Sequence, residues 1–139
     1  LIDLIQPDTR IDILTDTAID LLTEGMIRIG LLEGEKERLI EEKAYRRFYM
    51  HGIGHPLGMD VHDICRIKDG KTFRRFQPGM ITTVEPGIYI AADARGVPPE
   101  YRGIGVRIED DVLVTTGGYE VLTAGVPKQI EDIEALMAG

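Results

Sequence analysis

All three histidines of this chain fall within the stretch "HGIGHPLGMDVHD", residues 51–63, with glycines threaded between them. Imidazoles work as metal ligands and as proton donors and acceptors near neutral pH. His51 and His55 are four residues apart. On a helix that spacing would put both on one face, but Gly52, Gly54 and Pro56 argue against a helix here. In an extended segment the same spacing again places both on one face, because the period is two. His62 follows seven residues after His55, so the chain must bend between them if all three converge. Gly54 and Gly58 would permit such a bend, or the close approach of another strand.

Two acids stand out in apolar surroundings: Glu85 in "TTVEPGIYI" and Glu109 in "GVRIEDD". A lone carboxylate inside a hydrophobic strand is costly to bury unless it is paired or bound to a metal. Two strand glutamates pointing inward, together with a glycine-bent histidine segment, supply oxygen and imidazole donors suited to a divalent ion. Blander readings stand beside this one. A strand glutamate commonly faces solvent or pairs with an arginine such as Arg107, and histidines in a glycine-rich loop are commonly just polar loop residues. Cys65 lies close enough in sequence to the histidines to serve as a nucleophile, although a lone cysteine is more often an inert small hydrophobe.

The elements that must position these residues are readable in outline. Between Ile11 and Gly30 the apolar positions Ile11, Leu14, Ala18, Leu21, Leu22, Gly25 and Ile29 recur in steps of three and four, which predicts an amphipathic helix. Thr9 or Asp12 would cap it and Gly30 would end it. "LIDLIQPDTR" before it reads as a helix end followed by a proline-containing turn. "EGEKERLIEEKAYRRF" predicts a second short helix with a solvated charged face. After Phe48, β-branched runs at 80–90 and 103–115 predict strands separated by a loop, "DARGVPPEYRG". "DDVLVTTGGYEVLT" predicts a hairpin turning at Gly117–Gly118, and "KQIEDIEALMAG" a terminal helix. Helices first and strands later predict an α+β domain with an antiparallel or mixed sheet.

Composition narrows the partners. The chain has 139 residues, 24 acidic and 16 basic side chains and a formal net charge of −8, which disfavours nucleic acid and anionic membranes. No apolar run reaches the ~20 residues needed to cross a bilayer, and the opening residues show no signal-peptide pattern. A single cysteine cannot form an internal disulfide, which fits a reducing compartment and a cytoplasmic location.

"HGIGHPLGMDVHD", "PGMITTVEPGIYI" and "YRGIGVRIEDDVLVTTGGYEVLT", in this order, closely resemble three successive motifs of the aminopeptidase P and prolidase family, metallopeptidases related to creatinase and methionine aminopeptidase. The similarity runs from about Pro7 to the C-terminus, and "VPPEYRGIGVRIEDD" leans toward aminopeptidase P. The resemblance implies a pita-bread fold: a curved, mostly antiparallel mixed sheet with flanking helices. It implies hydrolysis of N-terminal Xaa-Pro bonds in peptides by two divalent metals, typically manganese. His55 resembles the histidine ligand, Glu85 a carboxylate ligand and Glu109 the bridging carboxylate. His51 and His62 resemble the two histidines that hold substrate and stabilise the tetrahedral intermediate and leaving group. Tyr89 and Arg107 resemble the residues that orient the site. A dipeptidase of the prolidase type, and a metal-free peptide-binding module on the same fold, are the rival readings.

The pattern is also incomplete. The family's two Asp ligands lie upstream of the histidine motif on an Asp-rich strand pair, and residues 1–139 hold no such segment. Asp3, Asp8, Asp12, Asp16 and Asp20 lie on or beside predicted helices, while Asp110 and Asp111 belong to the Glu109 motif. With Leu1 rather than Met in first place, the expectation is the C-terminal portion of a longer catalytic domain. Such a portion would self-associate through uncovered strand edges, hold metal weakly or not at all, and have negligible activity alone.

Overall fold

The computed structural model describes all residues from Leu1 to Gly139. A short 3-10 turn, Ile2–Leu4, leads into α1, Ile13–Arg28; α2 follows at Lys36–Glu41, and a second 3-10 turn at Ala44–Arg47. Seven short strands come next: β1 (Lys68–Asp69), β2 (Thr72–Phe73), β3 (Ile81–Val84), β4 (Gly87–Tyr89), β5 (Gly105–Arg107), β6 (Asp110–Thr115) and β7 (Gly118–Val121). Helix α3, Ile130–Met137, closes the chain.

The end of α1 shows how sequence sets geometry. Gly30 adopts φ +74°, a conformation that costs a residue without Cβ little. Its N–H bonds to the Ile27 carbonyl and that of Leu31 to the Met26 carbonyl, the paired bonds of a Schellman motif. Buried Leu31 and Met26 share one core cluster, supplying the hydrophobic contact that goes with this stop. At the other end Asp12 occupies the N-cap position, but its side chain makes no capping bond. Arg10 holds that carboxylate instead, through Nε at 3.0 Å.

The buried stripe of α1 is narrower than its apolar pattern predicts. Leu14, Ala18 and Met26 are buried, whereas Leu21 and Ile29 are exposed. Leu14 and Ala18 pack with Ile53, Val84, Val112 and Val114. Met26 packs with Tyr45, Phe48, Tyr49 and Ile90. The helix therefore lies across one face of the strands and ties two clusters together, leaving the opposite face for the site.

On the sheet, β3, β6 and β7 form an antiparallel order, and β4 pairs with β5. The two pairings share one register. Val84 lies opposite Asp110 and Gly87 opposite Arg107. Stepping inward along both chains puts Pro86 opposite Ile108 and Glu85 opposite Glu109. A hydrogen bond from the Ile108 N–H to the Pro86 carbonyl, 3.2 Å, keeps the chains together across this gap. The strands read as continuous over 80–90 and 103–115 are thus each broken, and both breaks fall at the glutamates.

Two smaller differences concern turns. Thr115 pairs with Gly118, so the hairpin turns at Thr116–Gly117, one residue earlier than expected. The hairpin of β1 and β2, with Lys68 opposite Phe73 and Asp69 opposite Thr72, was not anticipated, although the Asp69–Gly70 dipeptide that opens its turn is a strong hairpin signal.

Candidate metal centre

The histidine segment reaches the site by lying alongside β3. The Leu57 N–H bonds to the Ile81 carbonyl at 3.0 Å, the Thr83 N–H to the His55 carbonyl at 2.9 Å, and the Glu85 N–H to the Ile53 carbonyl at 2.7 Å. Residues 53–57 therefore run antiparallel to β3 as an irregular outer strand. Gly54 makes this possible. A Cβ there would lie 2.0 Å from the Thr83 carbonyl oxygen, so any side chain would push the histidines off the strand. Beyond His55 the chain turns back, with the Asp63 N–H on the Pro56 carbonyl at 3.1 Å. That is the bend the three histidines require.

His55, Glu85 and Glu109 come together, with one ligand atom from each within 4.8 Å of the others. Glu85 is buried, His55 half-buried and Glu109 exposed. The expectation of two buried inward glutamates is thus met only for Glu85. Glu109 sits at the break between β5 and β6, on the face away from α1, because Asp110, Val112 and Val114 take the buried positions of β6. Like charges directly opposite on an antiparallel pair are destabilising by themselves. Two carboxylates and an imidazole on adjoining strands, one of them buried, form a donor set that a divalent cation fits.

Protein groups supply part of the compensation. The Glu85 carboxylate meets the Thr83 hydroxyl at 3.0 Å, His55 Nε2 at 3.5 Å and Arg107 Nη1 at 3.2 Å. The pairing of a strand glutamate with Arg107, weighed above as an alternative to metal binding, is therefore present together with the ligand cluster. Arg107 Nε also donates to the Tyr89 hydroxyl at 2.6 Å, and that hydroxyl lies 3.0 Å from His51 Nε2. Its bond to Tyr89 and the nearby Glu85 and Glu109 carboxylates hold the Arg107 guanidinium above its ordinary range. His51, Tyr89, Arg107 and Glu85 thus form one chain of contacts. His62 is exposed, its ring edge-on to that of His55 with centroids 4.2 Å apart.

Other candidates lie elsewhere. Cys65 is exposed and unpaired and is not among the clustered donors. Asp3 takes a bond from the Tyr119 hydroxyl, Asp12 pairs with Arg10, and Asp20 pairs with Lys36 at 2.8 Å. Asp110 points away from Glu109 and is held by Lys128 at 2.8 Å and the Thr123 hydroxyl at 2.6 Å.

Residues 1–116 match the family model described as metallopeptidase family M24. The chain belongs to metallopeptidase family M24. It is 52% identical over 136 residues to an Xaa-Pro aminopeptidase of Haemophilus influenzae, covering 98% of this chain and 31% of that protein. Against the Xaa-Pro aminopeptidase of Escherichia coli it is 48% identical over 134 residues, 96% of this chain and 30% of that one. The chain thus spans about a third of the length of these curated relatives. Among solved structures, an aminopeptidase of Pseudomonas aeruginosa superposes with a TM-score of 0.95 at 52% identity, covering 99% of this chain and 31% of that one. Aminopeptidase P of E. coli with the inhibitor Pro-Leu gives 0.90 at 47% identity, with the same coverage. The fold is that of the matching stretch of their pita-bread domain. Membership in this family implies use of a divalent metal.

Sequence reasoning passed over two residues at this site, Thr83 and Tyr49. The signal for Thr83 was a pair of threonines in an otherwise apolar run, two residues ahead of the glutamate. Tyr49 is buried edge-on against His51, ring centroids 4.9 Å apart, and its hydroxyl has no hydrogen-bond partner. Burial, then the nearby Glu85 charge, push its pKa up to about 12. Removing an unpaired buried hydroxyl relieves a desolvation cost, so Tyr49→Phe is predicted to stabilise the fold by about 1 kcal/mol in urea denaturation at neutral pH. The folded phenol keeps its proton above the pH at which the unfolded one loses it. The parent therefore loses stability from about pH 10, the ordinary tyrosine value, to about pH 12, and the variant lacks that contribution. Destabilisation by Tyr49→Phe would show that the hydroxyl is bonded after all.

Proposed function

We propose that these residues form the C-terminal part of the catalytic domain of a metal-dependent aminopeptidase that hydrolyses N-terminal Xaa-Pro bonds. The observation that carries this reading is the cross-strand opposition of Glu85 and Glu109 beside His55. The names of the relatives support the substrate class. His55, Glu85 and Glu109 would hold a divalent metal, for which we propose manganese, with two Asp ligands for a second ion on sequence outside residues 1–139. When bound, such an ion supplies Lewis acidity and lowers the pKa of water.

The chain's own residues account for the rest. An Xaa-Pro bond is a tertiary amide with no N–H, and its prolyl nitrogen, like any amide leaving group, must gain a proton to leave. His51, fixed by the Tyr89 hydroxyl, and His62, exposed at the rim beside His55, are the groups that would hold the substrate, donate to the developing oxyanion and pass that proton. Arg107 Nη1, 3.2 Å from the Glu85 carboxylate, keeps that carboxylate oriented toward the cluster.

The test is turnover of peptides with proline in second position by a protein containing this domain together with its upstream sequence. Activity should vanish on chelation, return with manganese, and fall about 10²–10⁴-fold in kcat for His62→Ala. Activity that survives stringent chelation would overturn the metal mechanism. Cleavage confined to dipeptides would favour the prolidase reading, and binding without turnover the metal-free module.

We also propose that the 139-residue chain self-associates. The β5 strand carries exposed Val106 and is flanked by exposed Ile104 and Ile108, and only β4 pairs with it. An apolar strand edge of this kind recruits other chains. Light scattering should show species larger than one chain; a monomer at all concentrations would contradict this.

A further inference from the structure

We propose that Thr83 is a positioning residue for the metal centre: its hydroxyl sets His55 and Glu85 in the relative placement from which both can hold one ion. The inference rests on the reading of those two residues as ligands and adds the device that couples them.

Thr83 is buried, 2% exposed, in a strand where valine or isoleucine would satisfy packing and β-propensity equally well. Most buried hydroxyls are hydrogen-bonded, and this one is. Thr83 Oγ1 lies 2.9 Å from the His55 backbone nitrogen and 3.0 Å from Glu85 Oε1. The backbone N–H can only donate, so Oγ1 accepts there. Its one proton is left with two targets, Glu85 Oε1 at 3.0 Å and the His55 carbonyl at 3.5 Å. That carbonyl already receives the Thr83 N–H at 2.9 Å, and the Thr82 hydroxyl, which also lies 3.3 Å from the Thr83 carbonyl, is 3.2 Å from it. The shorter, charge-assisted bond to the carboxylate is therefore the one formed.

The consequence is a direct link between two ligand residues 30 positions apart in sequence. The same oxygen fixes the backbone that carries the imidazole and one oxygen of the carboxylate beside it. Glu85 is anchored on its other oxygen by Arg107. Without Thr83 the carboxylate would keep that anchor but lose the bond that aims Oε1 toward His55. Groups that orient ligands in this way commonly govern metal affinity by 10–100-fold.

Two variants of the chain test this, Thr83→Val and Thr83→Ser, each read by two measurements. In hydrogen exchange without metal, the His55 amide should lose protection in the valine variant and keep it in the serine variant. The Glu85 amide, bonded to the Ile53 carbonyl, should stay protected in both, which shows that the valine chain is folded. In titration with cobalt(II), followed by its visible absorption, the valine variant should bind about 10–100-fold more weakly than the parent, and serine should restore binding. Unchanged His55 protection, or equal cobalt affinity in parent and valine variant, overturns the proposal. So does a serine variant as weak as valine, which would trace the effect to the methyl group. Where the parent chain takes up no cobalt, the comparison is read in the protein that includes its upstream sequence; no uptake there overturns the metal reading and this proposal with it. That result is distinct from failure of Thr83 alone, where parent and valine variant bind cobalt equally.

Discussion

Two carboxylates stand opposite each other across one antiparallel register, and the architecture of the site follows from holding them there. Val84 opposite Asp110 on one side and Gly87 opposite Arg107 on the other leave Glu85 no neighbour on the β5–β6 chain but Glu109. Such a pair of like charges opposes folding unless positive charge is brought to it. The structure brings some in the form of Arg107, 3.2 Å from Glu85, and places His55 Nε2 at 3.5 Å. Glu109 is left exposed, with its ligand atom still in the cluster. This is the charge imbalance that a divalent cation relieves.

The surrounding elements can be understood as what keeps this arrangement from relaxing. Helix α1 packs through Leu14 and Ala18 against Val84, Val112 and Val114, next to the two glutamates but on the opposite face. A strand so braced cannot slip by one residue, since a slip would send Val84 outward and Glu85 into the apolar cluster. Asp110, adjacent to Glu109, is pinned by Lys128 and Thr123, pointing away from the glutamate. The histidine segment is held to β3 by backbone bonds and by the absence of a side chain at Gly54.

Much of this was legible in the residue order. The apolar rhythm of α1, its stop at Gly30, the terminal helix and the paired strands were all readable. So was the convergence of His55, Glu85 and Glu109, because their residue types and motifs are distinctive. Other features depend on information that no local window contains. The exposure of Leu21 and Ile29 follows from how narrow a stripe of α1 the strands cover. The strand breaks at Glu85 and Glu109 emerge only once the two chains are set in register; each segment alone reads as one continuous strand. The burial of Glu85 but not Glu109 is likewise set by what packs over each residue. Thr83 was readable in principle, as a polar residue in a buried strand, but its partners are known only when the histidine segment is laid beside it. The Asp69–Gly70 hairpin is different, since its signal is local to the dipeptide.

The central claim is that the opposed glutamates form a cation site rather than an ordinary charged surface. It is tested most directly by thermal melting of the chain and of Glu109→Gln, each with and without excess manganese. Without metal, the variant should melt no lower than the parent, and up to about 2–4 °C higher, because one of two facing negative charges is gone. Manganese should raise the melting temperature of the parent, as any ligand specific to the folded state does, and leave the variant unmoved. Equal shifts in both chains, or no shift in either, would contradict the account.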